Sequence, residues 1–127
     1  MGANVLEVSM NYLLIIFVGL LGGVASGLFG VGGGVIFVPL LVLMMNFDIH
    51  LAIGTSLAVI IPTSVIGGLK HMRAGMIDWK AAALIVLFAA LGAWWGATLS
   101  LKLDTDVSRK LFAVFLFFLS LKLFFLN

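Results

Sequence analysis

The chain consists of long apolar segments separated by short polar connections, and this pattern constrains its fold more than any other feature. The apolar segments lie at residues 10–29, 32–45, 51–69, 81–101 and 111–126. A helix that spans a bilayer needs roughly 20 predominantly apolar residues, and most of these segments approach that length. Because 64% of the residues are hydrophobic and only 9% are charged, a soluble domain of this size could not hide its apolar surface. The sequence therefore predicts an integral membrane protein.

The pattern within the segments favours helices over strands. Strict alternation of apolar and polar residues, which is typical of transmembrane strands, is missing from the sequence. We therefore predict an all-α fold with four to five transmembrane segments. The stretch before the first segment carries Glu7 and no basic residue, so we expect a retained helix and not a cleaved signal peptide. The connections are too short for a soluble domain, which predicts a single membrane domain over residues 1–127.

Basic residues are divided almost equally between the two sides of the membrane. If all five segments cross, three basic residues fall on one side and four on the other: Lys102, Arg109 and Lys110 against Lys70, Arg73, Lys80 and Lys122. The positive-inside rule then gives no clear orientation. Two interpretations stay open: one segment is re-entrant, or copies insert in both orientations and form an antiparallel dimer.

A glycine-rich run predicts a broken or re-entrant helix. Four of the five residues from Gly30 to Gly34 are glycine, and each costs about 1 kcal/mol of helix stability relative to alanine. The segment that follows is short and contains Pro39. A helix that begins at such a break directs its first N–H groups into the protein, and this arrangement binds anions in some transporters. The alternative is a tight aqueous turn between two ordinary helices.

Hydroxyl and imidazole groups are the candidate ligands of such an anion. Thr55 and Ser56 open the third segment, and we expect them to donate hydrogen bonds to an anion beside the glycine turn. Pro62 is expected to break the middle of that segment and to free backbone groups at a hinge. His71 lies between Lys70 and Arg73 at the mouth of a helix. The alternatives are hydroxyls bonded to their own helix carbonyls and an ordinary basic membrane flank.

Carboxylates and cysteines narrow the function classes further. The acidic residues all fall at segment ends: Glu7, Asp48, Asp78, Asp104 and Asp106. Cation pumps and proton relays usually bury acidic groups in the membrane, so cation transport is disfavoured. The chain has no cysteine, which excludes thiolate metal sites, and no nucleophile–base spacing points to an enzyme. We expect no metal, no cofactor and no nucleic-acid partner.

Several blocks of sequence resemble the TauE/SafE sulfite exporter family of membrane permeases. They are residues 23–41 (GVASGLFGVGGGVIFVPLL), 52–57 (AIGTSL), 71–79 (HMRAGMIDW) and 92–99 (GAWWGATL). Their order and spacing are similar to the first half of the family's sequences, over residues 10–126. The resemblance implies a multi-pass permease of the bacterial or archaeal inner membrane that carries sulfite, sulfonates and related sulfur-containing anions.

The candidate site residues, Pro62 apart, match positions that are characteristic of this family, and the resemblance also implies an assembly. The expected substrate-binding residues are Gly32, Gly33, Gly34, Thr55, Ser56 and His71, and the expected hinge or broken-helix positions are Gly30, Pro39 and Pro62. Usual family members carry two related halves, whereas this chain matches one. We therefore expect one half of an inverted-repeat permease that works as a homodimer, and an antiparallel arrangement would reproduce the inverted repeat. The alternatives are a partner half from another gene, a truncated relic, and an accessory or structural subunit without a pathway.

Overall fold

The backbone is helical over most of its length in the computed structural model, which describes residues 2–126 and the side chains from residue 11 onward. Five helices follow one another: α1 (Gly2–Phe29), α2 (Gly34–Met45), α3 (Ile49–Arg73), α4 (Trp79–Lys102) and α5 (Thr105–Phe124). No strand occurs in residues 2–126, which confirms the predicted all-α class. The chain divides into two compact units, Met1–Arg73 and Ala74–Asn127.

Three helical stretches are long and apolar enough to cross a membrane, namely Asn11–Phe29, Ile49–Arg73 and Trp79–Lys102. Most of their large apolar side chains are exposed, as expected of surfaces that contact lipid. α2 has 12 residues, or about 18 Å, which is short for a hydrocarbon core of about 30 Å. α5 is longer but carries four charged residues: Asp106, Arg109, Lys110 and Lys122. The chain is an integral membrane protein, and the exact count of crossings stays a prediction.

The predicted helix break lies between α1 and α2. Gly30, Gly32 and Gly33 have φ angles of 63°, 69° and 77°, which residues with a Cβ rarely adopt. A right-handed helix cannot continue through such angles, so α1 ends at Phe29 and α2 begins at Gly34. The carbonyl of Gly33 then accepts the amide hydrogens of Ile36 and Phe37 and closes the first turn of α2.

A second turn joins α2 to α3 without glycine. Asn46 has a φ of 54°, a left-handed conformation that asparagine tolerates better than most residues. The amide of Phe47 donates to the carbonyl of Leu41 over 3.1 Å. The carboxylate of Asp48 accepts the amide of His50 over 3.1 Å, so polar groups end one helix and start the next.

The core of the first unit forms around α2, which contacts both α1 and α3. Its buried side chains are Phe37, Val38 and Leu41, and the other buried apolar side chains of the unit are Val18 of α1 and Ile49 and Ala52 of α3. The Phe37 ring lies between two glycines, Gly22 of α1 and Gly33 of the break, and a Cβ on either would collide with it. A helix as short as α2 is thus held by packing on both sides.

The two prolines do not end their helices. α2 continues through Pro39, and α3 continues through Pro62. The expectation that Pro62 breaks the middle of the third segment is therefore wrong for the backbone. Proline removes the amide that would donate to the carbonyl of Ala58. Beside it, the Thr63 hydroxyl donates to the carbonyls of Val59 and Ile60 over 2.9 and 3.1 Å.

The second unit contains α4 and α5. Asp78 caps α4, because its carboxylate accepts the amides of Lys80 and Ala81 over 3.0 and 3.1 Å. In α5, Arg109 donates to Asp106 over 2.8 Å. Since both side chains of that ion pair are mainly exposed, it contributes little to stability.

Candidate functional site

A cavity of about 220 Å³ opens beside the glycine break. We call it the break cavity, and its lining comes from the end of α1, the break and the second half of α3. The lining residues share small size or polarity: Ser26, Gly27, Gly30, Gly32, Thr63, Ser64, Gly67, Gly68 and His71. A water molecule takes about 30 Å³ of the liquid, so the cavity has room for a small hydrated ion.

The helices α1 and α3, which line the break cavity, run in the same direction. Gly19 of α1 shares a cavity with Thr55 of α3, and eleven positions later Gly30 shares the break cavity with His71. The chain must therefore return between these two helices through α2, which is short. If α1 and α3 both cross the membrane, α2 alone is too short to lead the chain back across it. The non-helical residues of the break and of the 46–48 turn then make up part of the distance. This arrangement fits the predicted broken or re-entrant helix.

Two hydroxyl groups line the cavity on α3. Besides the two bonds that Thr63 makes, the Ser64 hydroxyl donates to the carbonyl of Ile61 over 3.0 Å. These bonds use the hydroxyl protons within the helix, so the oxygen lone pairs remain to accept hydrogen bonds or to bind a cation. Bonding of hydroxyls to their own helix was the alternative for the Thr–Ser pair after Pro62, and it is what the structure contains.

His71 lines the same cavity as these hydroxyls, farther along α3. It is exposed, and its Nδ1 lies 3.2 Å from the carbonyl of Gly67. When Nδ1 carries the proton it donates to that carbonyl, and Nε2 remains for a ligand. From Thr63 to His71 the lining of α3 extends over about 12 Å. The exposed side chains of Lys70 and Arg73 lie at the same end of the helix as His71.

Gly33 and Gly34 were predicted to bind substrate, and neither lines the cavity. A Cβ on Gly33 would lie 2.7 Å from two carbons of the Phe37 ring and 3.4 Å from the hydroxyl of Ser26. A Cβ on Gly34 would lie 3.4 Å from a methyl group of Ile60. Both glycines serve close packing here, while Gly30 and Gly32 of the same run line the cavity.

Thr55 and Ser56 were also predicted to face the break, and the structure does not bring them there. Thr55 lines a separate apolar cavity of about 250 Å³. Ser56 is 2% exposed and its hydroxyl donates to the carbonyl of Ile53 over 2.8 Å. Thr55 precedes Thr63 by eight residues, about 12 Å along α3, and this distance separates it from the break cavity. Of the predicted binding set, Gly32 and His71 are therefore the members that share the break cavity.

Sequence reasoning did not assign Ser26, Gly27, Thr63, Ser64, Gly67 or Gly68 to the site. Thr63 and Ser64 stood out only because they follow Pro62. Their distance from the break in the sequence gave no sign of contact, which depends on how α3 lies against α1. A usable signal is the spacing from Gly67 to His71, because residues four apart share one face of a helix.

We predict that the glycines of the break differ in how much an alanine costs. Gly32→Ala meets only ordinary contacts, so its cost is the strained positive φ, on the order of 1 kcal/mol. Gly33→Ala adds a collision with Phe37 and should lower the unfolding free energy by a further ~1–3 kcal/mol. Thermal unfolding of the purified protein in detergent measures both. Gly75→Ala is the matched control, since Gly75 has a φ of 70° and open space around it. Equal losses for Gly32→Ala and Gly33→Ala would contradict the packing assigned to Phe37.

Comparisons with known proteins match this chain to one family. A family model described as "Sulfite exporter TauE/SafE" matches residues 13–127. A "Probable membrane transporter protein" of Bacillus subtilis is 39% identical over 105 residues, 83% of this chain and 43% of that protein. One of Haemophilus influenzae is 32% identical over 118 residues, 87% of this chain and 45% of that protein. One of Methanocaldococcus jannaschii is 31% identical over 109 residues, 81% of this chain and 41% of that protein. The chain thus spans less than half the length of these relatives, and no solved structure matches it.

Proposed function

Because the chain belongs to the TauE/SafE sulfite exporter family, we propose that it is a half-size unit of a membrane permease for small sulfur-containing oxyanions such as sulfite or a sulfonate. The names of the relatives are those of membrane transporters and not of enzymes, as the sequence predicted. The family description supports the sulfur oxyanion as substrate. The family also supports a location in the bacterial or archaeal inner membrane.

The observation that carries the proposal is the break cavity. In this proposal the outer end of the cavity, the end at His71, receives the anion, because the His71 imidazole can donate a hydrogen bond there. Lys70 and Arg73 at the same end of α3 raise the local concentration of anions. The size of the cavity, about 220 Å³, suits a tetrahedral or pyramidal oxyanion. Among the described residues of its lining there is no carboxylate that would repel one.

We propose an assembly of two units, and the length of the relatives supports it. Since the chain spans 43% and 45% of two of them, two copies would supply the length of one whole relative. The near balance of basic residues on the two sides fits an antiparallel homodimer, which reproduces an inverted repeat with the site at its interface. In this proposal the partner is a second copy in the same lipid bilayer.

Uptake of radiolabelled sulfite tests the proposal directly. The purified chain is reconstituted into liposomes as the only protein, and empty liposomes serve as the control. We expect saturable uptake that unlabelled sulfonates inhibit. Liposomes that take up no sulfite at any protein density would overturn the permease of two identical halves. If a stable complex with a second protein restored uptake, the chain would be one half of a heteromeric permease.

The orientation of the C-terminus tests the antiparallel arrangement. One reporter active only in the cytoplasm and one active only outside are each fused after Asn127 and expressed separately. An antiparallel homodimer predicts similar signals from the two reporters, because copies insert both ways. A signal from one reporter alone would exclude the inverted homodimer and leave a parallel assembly or a partner of opposite orientation. Substitution of Lys80 by glutamine should then shift the ratio of the two signals only in a dual-topology protein.

A further inference from the structure

We propose that the inner end of the break cavity binds a monovalent cation, with Na⁺ as the ion. The inner end is the part lined by Ser26 and Gly27 of α1 and by Thr63 and Ser64 of α3. The site itself is argued from the geometry of these residues. Its role in driving anion transport rests on the proposed function.

The hydroxyl groups at this end present oxygen atoms and not protons. The Thr63 hydroxyl donates to two backbone carbonyls and the Ser64 hydroxyl to one, all within α3. An anion would need the protons that these carbonyls already receive. A cation needs the lone pairs, which remain on both oxygens. The hydrogen bonds of Thr63 and Ser64 thus favour a positive ligand over a negative one.

The carboxyl end of α1 adds backbone oxygens. The carbonyl of Ser26 accepts the amide of Gly30 over 2.9 Å, and the chain then leaves the helix. The carbonyls from Gly27 to Phe29 are in the last turn, where a helix supplies no further amide. This end also carries the negative pole of the helix dipole. Carbonyls of unwound segments and of half-helix carboxyl ends bind Na⁺ in known transporter folds.

The chemistry of these oxygens selects a monovalent ion. Ca²⁺ and Mg²⁺ are bound in proteins largely through carboxylates, and the described lining of the cavity contains none. Hydroxyl and carbonyl oxygens are not proton acceptors near neutral pH, so a proton is a poor ligand for this end. The site therefore differs from the carboxylate-based cation pathways that the sequence disfavours.

The two ends of the cavity would then hold opposite charges. Thr63 and His71 are about 12 Å apart along α3, so a cation at one end would stabilise an anion at the other through their electrostatic attraction. Because neither end has a fixed counter-charge of its own inside the cavity, we expect each ligand to raise the affinity of the other, as linkage requires.

Binding of radioactive sodium to the purified full chain in detergent tests the site. Thr63→Val and Ser64→Ala each remove one oxygen ligand, and each should weaken Na⁺ binding by about ten-fold or more, because the cation loses one of the oxygen contacts that replace its hydration shell. Thr63→Ser keeps the oxygen and should restore binding. The matched controls are Thr98→Val and Ser120→Ala, which remove hydroxyls that make the same kind of bond to their own helices and do not line the cavity.

The outcomes separate this inference from the proposed function. Saturable Na⁺ binding that is lost in Thr63→Val and Ser64→Ala and kept in both controls supports the site. No saturable binding, or equal loss in Thr98→Val, overturns it. Sulfite uptake that is unchanged when choline replaces Na⁺ on both sides overturns the coupling and leaves the anion permease. Na⁺ binding without any sulfite uptake overturns the permease of two identical halves and leaves the cation site.

Discussion

The Gly68→Leu variant is expected to lose sulfite uptake while it inserts and folds as the wild type does. Gly68 lines the break cavity, and a Cβ at this position meets nothing within 4 Å. A leucine side chain can therefore enter the space of the cavity without displacing the protein. Since leucine stabilises a helix by about 1 kcal/mol relative to glycine, the fold should not suffer. Uptake into liposomes should fall to the level of empty liposomes, with an unfolding temperature no lower than that of the wild type.

Gly54→Leu is the control for this variant. Gly54 lies on the same helix, also has open space around it, and does not line the break cavity. We expect its uptake to match the wild type. Wild-type uptake by Gly68→Leu would show that the substrate does not pass through the cavity. Equal loss in Gly54→Leu would show that bulk on α3, and not the filling of the cavity, stops transport.

The second large effect concerns folding and not transport. A Cβ on Gly22 would lie 2.6 and 2.7 Å from carbons of the Phe37 ring. The other edge of the ring faces Gly33, where an added Cβ would lie 2.7 Å from two ring carbons, so the ring has little room to move away from Gly22. Gly22→Ala should therefore lower the unfolding free energy by ~1–3 kcal/mol. In a chain with a short α2, this loss should appear as a large fall in the unfolding temperature in detergent.

A matched variant and a double variant isolate the cause. Gly23→Ala places the same methyl group one residue later, where nothing lies within 4 Å, and should leave the protein as stable or slightly more stable. Phe37→Leu should rescue Gly22→Ala, with a coupling of ~0.5–3 kcal/mol between the two positions. If the two substitutions add without coupling, Phe37 is not what limits the space at Gly22.

The helix break was predictable because its cause is local. Positive φ angles at Gly30, Gly32 and Gly33 are available to glycine and costly for other residues, so the glycine run predicts where the helix ends. The capped turn at Asn46 and Asp48 follows from the same kind of local chemistry. α3 extends beyond its apolar segment for a similarly local reason, because lysine and arginine are good helix formers. α3 accordingly runs to Arg73.

The partners of the break were not predictable because they depend on tertiary register. Thr55–Ser56 and Thr63–Ser64 are the same residue pair on the same helix. Only the placement of α3 against α1 decides that the second pair reaches the cavity. Packing also decides which glycines of the run line the cavity and which serve close packing. A Cβ on Gly33 would collide with Phe37, whereas one on Gly32 would not. Local propensity identifies which residues can form such a site, and packing decides which of them do.

A subunit-mixing experiment tests most directly whether two copies form one anion pathway around the break cavity. Wild-type chains and Gly68→Leu chains are mixed in known ratios while unfolded, reassembled, and reconstituted at constant total protein. If both copies line one pathway, sulfite uptake falls as the square of the wild-type fraction. Uptake that falls in direct proportion to that fraction would mean that each copy works alone, and it would contradict the two-unit permease.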